Sequence, residues 1–302
     1  MKKVSSVARR KRRRMIRIAL ITVWVFVFAV LFLMPTLLTV TNSFMSADEI
    51  TASYGSVFST SGGASSYIAE RVRLKYIPDI VTFKQYSSFL FESPDYLYKF
   101  WNSVFLVLPI VVFQVAVAAL AAYGFAVYRG RGRELLFFGY IVLMLMPYQV
   151  TLVPNYLVAK YLNILDTRWA IVLPGIFTPF SVFILTKTMR RIPKEIREAA
   201  SLDGANDWQI FLRVYLPQCK SAVYSVVILV FIDYWNMVEQ VLVLLTDTDK
   251  QPLSVFLSQI NAGEVSLAFA VATIYMIPAI LMFLHGEEYL VEGIADSGSL
   301  KG

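Results

Sequence analysis

Asp233, Asn236 and Gln240 are the polar residues whose types and spacing can act on a solute. At about 100° per residue they share one side of a helix, and with Glu239 they interrupt an otherwise apolar segment. A carboxylate in the middle of a bilayer costs roughly 2.5–3.5 kcal/mol on insertion scales, so Asp233 must face a cavity or a partner rather than lipid. Two chemistries fit this side. It can line a path and hydrogen-bond the hydroxyls of a passing solute, or it can hold helices or subunits together at ~0.6–2 kcal/mol per polar side chain. A second polar stretch contains Pro147, Gln149, Thr151, Pro154 and Asn155. Its prolines free backbone carbonyls, which survive at depth only beside a cavity or polar partners. Pro147 is therefore expected to mark a gate or a bend. Gln114 reads as interhelical packing.

Other chemistries are excluded by counting. The single cysteine, Cys219, allows neither an internal disulfide nor a multi-cysteine metal site, and the single histidine, His285, allows no histidine cluster. No metal is expected. No Gly-x4-Gly-Lys-Ser/Thr loop occurs, and the 129–133 run Arg-Gly-Arg-Gly-Arg lacks a strand–loop–helix setting, so the chain cradles no nucleotide phosphate of its own. It reads as a non-catalyst.

The elements that must hold these residues are long and apolar. Of the 302 residues, 57% are apolar and 15% aromatic, and the mean hydropathy is +0.61. Soluble domains are about 45–50% apolar. Six segments, 16–40, 101–127, 135–158, 169–187, 222–245 and 266–285, are each long enough to cross a hydrocarbon core of about 30 Å as a helix. The expected fold is an all-α integral membrane bundle of six transmembrane helices.

Twenty of the 28 Lys and Arg residues fall on one side if both termini are inside, and eight on the other. The positive-inside rule then fixes the orientation. It also explains the net charge of +7: the basic 1–15 segment is an inside anchor beside anionic lipid rather than a nucleic-acid site. Loops at 41–100 and 246–265 lie outside, and 190–217 and the 286–302 tail lie inside. Met34-Pro35 predicts a kink or stop in the first span. Residues 80–91, with partial helical spacing, read as an interfacial segment or a cap on the bundle.

The inner 190–217 insert is dense in helix signals. Pro193 suits a first helical position, Gly204 a left-handed helix end, and Asn206 with Gln209 a capping box, while Pro217 stops the second helix. The prediction is helix 193–203, a turn at Gly204 and helix 207–216. Ala199, Ala200 and Gly204 remove bulk, so another backbone can approach, and Glu198 beside them offers a fixed charge. Trp208, Phe211, Leu212 and Tyr215 give the second helix an apolar side. An amphipathic pair lying on the bilayer is the alternative.

The pattern Glu198-Ala199-Ala200, three residues, Gly204, nine residues, Val214-x-Leu216-Pro217 resembles the signature of permease subunits of bacterial ATP-binding-cassette (ABC) importers, departing only in Val214 for Ile. Trp101-Asn102-Ser103-Val104, Leu145-Met146-Pro147, Val153-Pro154-Asn155 and Tyr234-Trp235-Asn236 are similar to the carbohydrate branch, specifically the second permease subunit of maltose-type importers. The resemblance implies a type I importer permease bundle in a bacterial cytoplasmic membrane, carrying a sugar or oligosaccharide.

It further implies four partners besides membrane lipid: a second homologous permease subunit, two ATP-binding-cassette ATPase subunits and an extracytoplasmic solute-binding protein. ATP and Mg would be bound by the ATPases, with no cofactor in this chain. By resemblance, Glu198, Ala199, Ala200, Asp203, Gly204, Leu216 and Pro217 would couple to the ATPase, and the Lys301-Gly302 tail would reach it. Asp249, Lys250, Gln251 and Asn261 would face the binding protein. Glu287-Glu288 differ from the family's usual Gln and basic residue. A permease for a non-sugar solute, an ion-driven carrier and a membrane scaffold are the competing readings.

Overall fold

The computed structural model describes residues 2–58, 74–92, 94–128, 130–259 and 265–298. Among these every regular element is a helix: α1 (Lys2–Asn42), α2 (Ala47–Phe58), α3 (Lys84–Ser87) running into a π turn (Ser88–Glu92), α4 (Pro94–Val127), α5 (Arg131–Met144), α6 (Tyr148–Tyr161), α7 (Trp169–Ile176) and α8 (Pro179–Met189). Then follow α9 (Lys194–Leu202), α10 (Asp207–Ile210), a π turn (Phe211–Tyr215), α11 (Leu216–Gln218), α12 (Lys220–Trp235), α13 (Glu239–Leu244), a 3-10 turn (Thr248–Lys250), α14 (Leu253–Ser258) and α15 (Val265–Gly298).

Four stretches are long and apolar enough to cross a membrane: Arg14–Asn42, Pro94–Val127, Trp169–Met189 and Val265–Leu290. Two bent pairs raise the number to six if each is one span: Gly132–Met144 with Tyr148–Tyr161, at 103°, and Asp207–Gln218 with Lys220–Trp235, at 77°.

The expected spans are corrected in several places. Segment 135–158 is two helices rather than one, because Pro147 has no N–H and takes an extended conformation as the N-cap of α6. Segment 222–245 is likewise broken, at 236–238. Pro35 lies inside α1 and does not stop it. Segment 101–127 begins earlier, at Pro94, and α15 carries on into the expected tail as far as Gly298. Hydropathy marks only the apolar part of a helix, and polar turns extend it at no cost in water.

The chain divides into two compact units, one with α1–α3 and the start of α15, the other with α4–α14 and α15 from Tyr275. In the first, Met45, Ile50, Tyr54 and Val265 form a small core with Phe269. Asn42 Nδ2 donates to the Tyr54 hydroxyl at 2.9 Å, and Lys75 pairs with Glu49 at 2.7 Å. Residues 80–91, expected as an interfacial segment or a cap, are tied to this unit, the Thr82 N–H donating to the Phe44 carbonyl at 2.9 Å.

In the second unit α4 is the central post. Its buried stripe, Leu106, Val107, Ile110, Val111, Gln114, Ala118, Ala119 and Ala122, recurs every three to four residues as an α-helix requires. The alanines permit close packing, and Gln114 Nε2 donates to the buried Ser181 hydroxyl of α8 at 2.7 Å. Gln114 is thus an interhelical bond.

Candidate functional site

Three places in the second unit carry the expected functional residues: the hairpin of α9 and α10, a cavity at the helix breaks, and the loop after α13.

The hairpin forms from local signals. Pro193 is the N-cap of α9, one position earlier than expected. At the other end Gly204 N–H donates to the Ser201 carbonyl and Ala205 N–H to that of Ala200, both at 3.1 Å, and Gly204 has φ +82°. This is a Schellman turn, for which glycine is the unstrained choice. Asn206 then caps α10 with both bonds of a capping box, Gln209 N–H to Asn206 Oδ1 at 2.8 Å and Asn206 N–H to Gln209 Oε1 at 3.0 Å. Arg197 of α9 pairs with Asp207 at 3.2 Å, closing the two arms.

Asn206→Ala is expected to remove about 1 kcal/mol of helix stability. Hydrogen exchange at residues 207–210 should quicken several-fold, and unchanged exchange would show that the cap is idle.

The second arm is anchored and the first is not. Ile210, Phe211, Tyr215 and Cys219 are buried, with the Phe211 and Tyr215 rings 5.2 and 5.0 Å from that of Tyr123 on α4. The Tyr123 hydroxyl also donates to the Asp207 carbonyl at 3.3 Å. Trp208 and Leu212, expected on the same apolar side, are instead exposed at the edges of that stripe. Pro217 does not end the helix as expected: the backbone widens into the π turn, α11 starts with Leu216-Pro217, and the stop falls at Cys219. In α9 no residue is buried; Glu198, Ala199, Leu202, Asp203 and Gly204 are exposed, and Leu202 is 89% exposed.

The cavity, about 970 Å³, lies where three helix breaks meet. Its lining includes the ends of α5 and α6 around residues 145–147, of α7 and α8 at 177–178, and of α12 and α13 at 236–238. Gln149, Asn155, Asp233, Asn236 and Gln240 all line it, and Pro147 stands in a break without lining it. The expectation that Asp233, Asn236 and Gln240 share one helix side is corrected. The helix stops at Trp235, and the residues converge because the chain breaks between them. The break is held by Asn236 Nδ2 donating to the Ile232 carbonyl at 2.8 Å and by the Tyr275 hydroxyl donating to the Trp235 carbonyl. Sequence reasoning left out of the candidate set Glu239, which accepts from Gln149 Nε2 at 3.3 Å, and Thr178 and Tyr234, whose hydroxyls are 3.2 Å apart. The polar character of 236–240 was the available signal for Glu239.

The loop after α13 is tied down. Asn102 Nδ2 of α4 donates to the carbonyls of Asp249 at 2.6 Å and Gln251 at 3.3 Å, and the Leu253 N–H donates to Ser103 Oγ at 3.0 Å. Lys250 pairs with Asp247 at 2.9 Å and donates to the Asp166 carbonyl at 3.1 Å, while Gln251 Nε2 donates to the Leu245 carbonyl at 2.9 Å. The side chains of Lys250 and Gln251 thus hold the loop's own shape. Asn261, Lys301 and Gly302 lie outside the described residues.

The Asp247 N–H, followed by Thr246, holds the Asp166 carboxyl below its ordinary value, and Lys250 does the same for Asp247. A depressed folded pKa contributes stability above the unfolded value and loses it as pH falls through the folded one. Amide protection at Thr246 and Asp247 should therefore be level from about pH 8 to 5 and fade below about pH 4. Fading first on the alkaline side would contradict these bonds.

The chain is 27% identical over 241 residues to the lactose transport system permease protein LacG of Rhizobium radiobacter, covering 78% of this chain and 87% of that protein. It is 33% identical over 211 residues to the probable ABC transporter permease protein YurM of Bacillus subtilis (strain 168), covering 67% and 69%. Its fold is similar to the crystal structure of a bacterial ABC transporter involved in the import of the acidic polysaccharide alginate, with a TM-score of 0.72 at 24% identity over 89% of this chain and 95% of the other. Residues 88–290, from the turn before α4 into α15, match the binding-protein-dependent transport system inner membrane components, and the chain belongs to that family.

Proposed function

We propose that this multi-pass membrane protein is one of two permease subunits of an ATP-driven importer for a sugar or oligosaccharide. Family membership makes it a transport component and not an enzyme. In this reading two ATPase subunits bind ATP and Mg on the inner side, and a solute-binding protein delivers solute from outside. The charge distribution supports placing both termini and the hairpin inside.

The observation that carries the reading is the asymmetry of the hairpin. One arm is fixed to α4 through Phe211 and Tyr215, and the other has no fully buried residue within this chain. A rigid, anchored arm with an uncovered surface of small and charged residues is what a lever needs. ATP binding would close the ATPase dimer, and α9, seated in it, would carry the motion into α4 and α12 as a rigid-body change between two packed states. Glu198, Ala199, Ala200, Asp203 and Gly204 would touch the ATPase. Leu216 and Pro217 would transmit the motion into α12. The cavity would be this subunit's share of the path, and its amides and hydroxyls suit sugar hydroxyls. Relatives named for lactose and for an acidic polysaccharide support a saccharide without deciding its charge.

Proteoliposomes holding the full assembly are expected to accumulate a labelled oligosaccharide only with ATP on the hairpin side and binding protein on the other. Accumulation driven by a proton or sodium gradient without ATP would overturn the reading.

A further inference from the structure

We infer that the cavity selects by charge: it admits uncharged and cationic solutes and disfavours those bearing carboxylate or phosphate. This rests on the reading of the cavity as the path.

The charged residues in its lining are Asp233 and Glu239, with no Lys, Arg or His among the lining residues. Both carboxylates are exposed. Helix ends do not offset them. Three helices end at the cavity (α5, α7 and α12) and three begin there (α6, α8 and α13), so their opposed partial charges balance in number. What remains is two carboxyl groups in a concave, largely apolar wall, the arrangement that focuses a field and repels like charge.

Three cations of the expected outer side are engaged elsewhere. Lys99 donates to the Thr248 carbonyl, Arg168 to Asn102 Oδ1, and Lys250 to Asp166. Hydrogen bonding points the same way. Besides the carboxylates, Gln240 Oε1 is a buried acceptor with no partner among the described residues. These three acceptors take donors, which hydroxyls and ammonium groups supply and an ionised carboxylate does not.

The test measures the field without relying on the binding protein. Phe177 lines the cavity and is 64% exposed. Phe177→Cys is made in the full assembly with the buried Cys219 changed to Ser. Its modification rates are compared for a cationic trimethylammonioethyl and an anionic sulfonatoethyl methanethiosulfonate. Adding Asp233→Asn and Glu239→Gln is expected to lower the cation-to-anion rate ratio roughly tenfold. A ratio that does not move overturns the inference, whatever the solute. Met146→Cys, also in the lining, serves if the Phe177 variant fails to assemble. Full modification with undiminished ATP-driven uptake would instead remove the cavity from the path, a separate failure that ends the earlier reading.

Discussion

Gly204→Trp is expected to lower ATP-driven uptake by more than tenfold while the protein still reaches the membrane and the ATPase still turns over. Gly204 has φ +82°, where an L side chain costs roughly 1–2 kcal/mol. A Cβ there meets nothing within 4 Å, so the side chain leaves the backbone unobstructed at an exposed turn and its bulk is set against whatever seats on the hairpin. Gly204→Asn separates the two effects, because asparagine tolerates the left-handed conformation. It is expected to keep most of the uptake that Trp loses. Normal uptake by the Trp variant would mean that nothing docks at this turn.

Asp233→Ala should reduce uptake between about tenfold and a hundredfold, the equivalent of a charged hydrogen bond of about 1.5–3 kcal/mol. Membrane yield should hold, because removing a carboxylate makes α12 easier to insert. If Asp233 instead joins subunits, the complex will fall apart on purification before transport is measured. Unchanged uptake, yield and complex stability together would make the residue incidental.

Which features were legible in the sequence follows from how local their causes are. The turn at Gly204 and the capping box of Asn206 and Gln209 depend on a few neighbouring residues, and each formed as its residue types dictate. The break at Pro147 was half legible. Proline removes a bond and so marks the break, but it does not set the 103° angle between α5 and α6. The break at 236–238 carries no glycine or proline. It depends on Tyr275, distant in sequence, donating to the Trp235 carbonyl, and no window over 222–245 contains that fact. The polar residues of the cavity were therefore found by their cost in lipid, while the geometry assigned to them, one face of one helix, was wrong. Trp208 and Leu212 lie outside the buried stripe, which runs through Ile210, Phe211, Tyr215 and Cys219.

The lever is tested most directly at Leu202, the exposed tip of α9. In the purified assembly in lipid nanodiscs, Leu202→Cys is paired with a short bifunctional thiol cross-linker and, separately, with a spin label. A cross-link to a soluble ATP-hydrolysing subunit, with a yield that changes between nucleotide-free and ATP-bound states, is the predicted result. A label that reports lipid contact, with no cross-link in either state, would contradict the account.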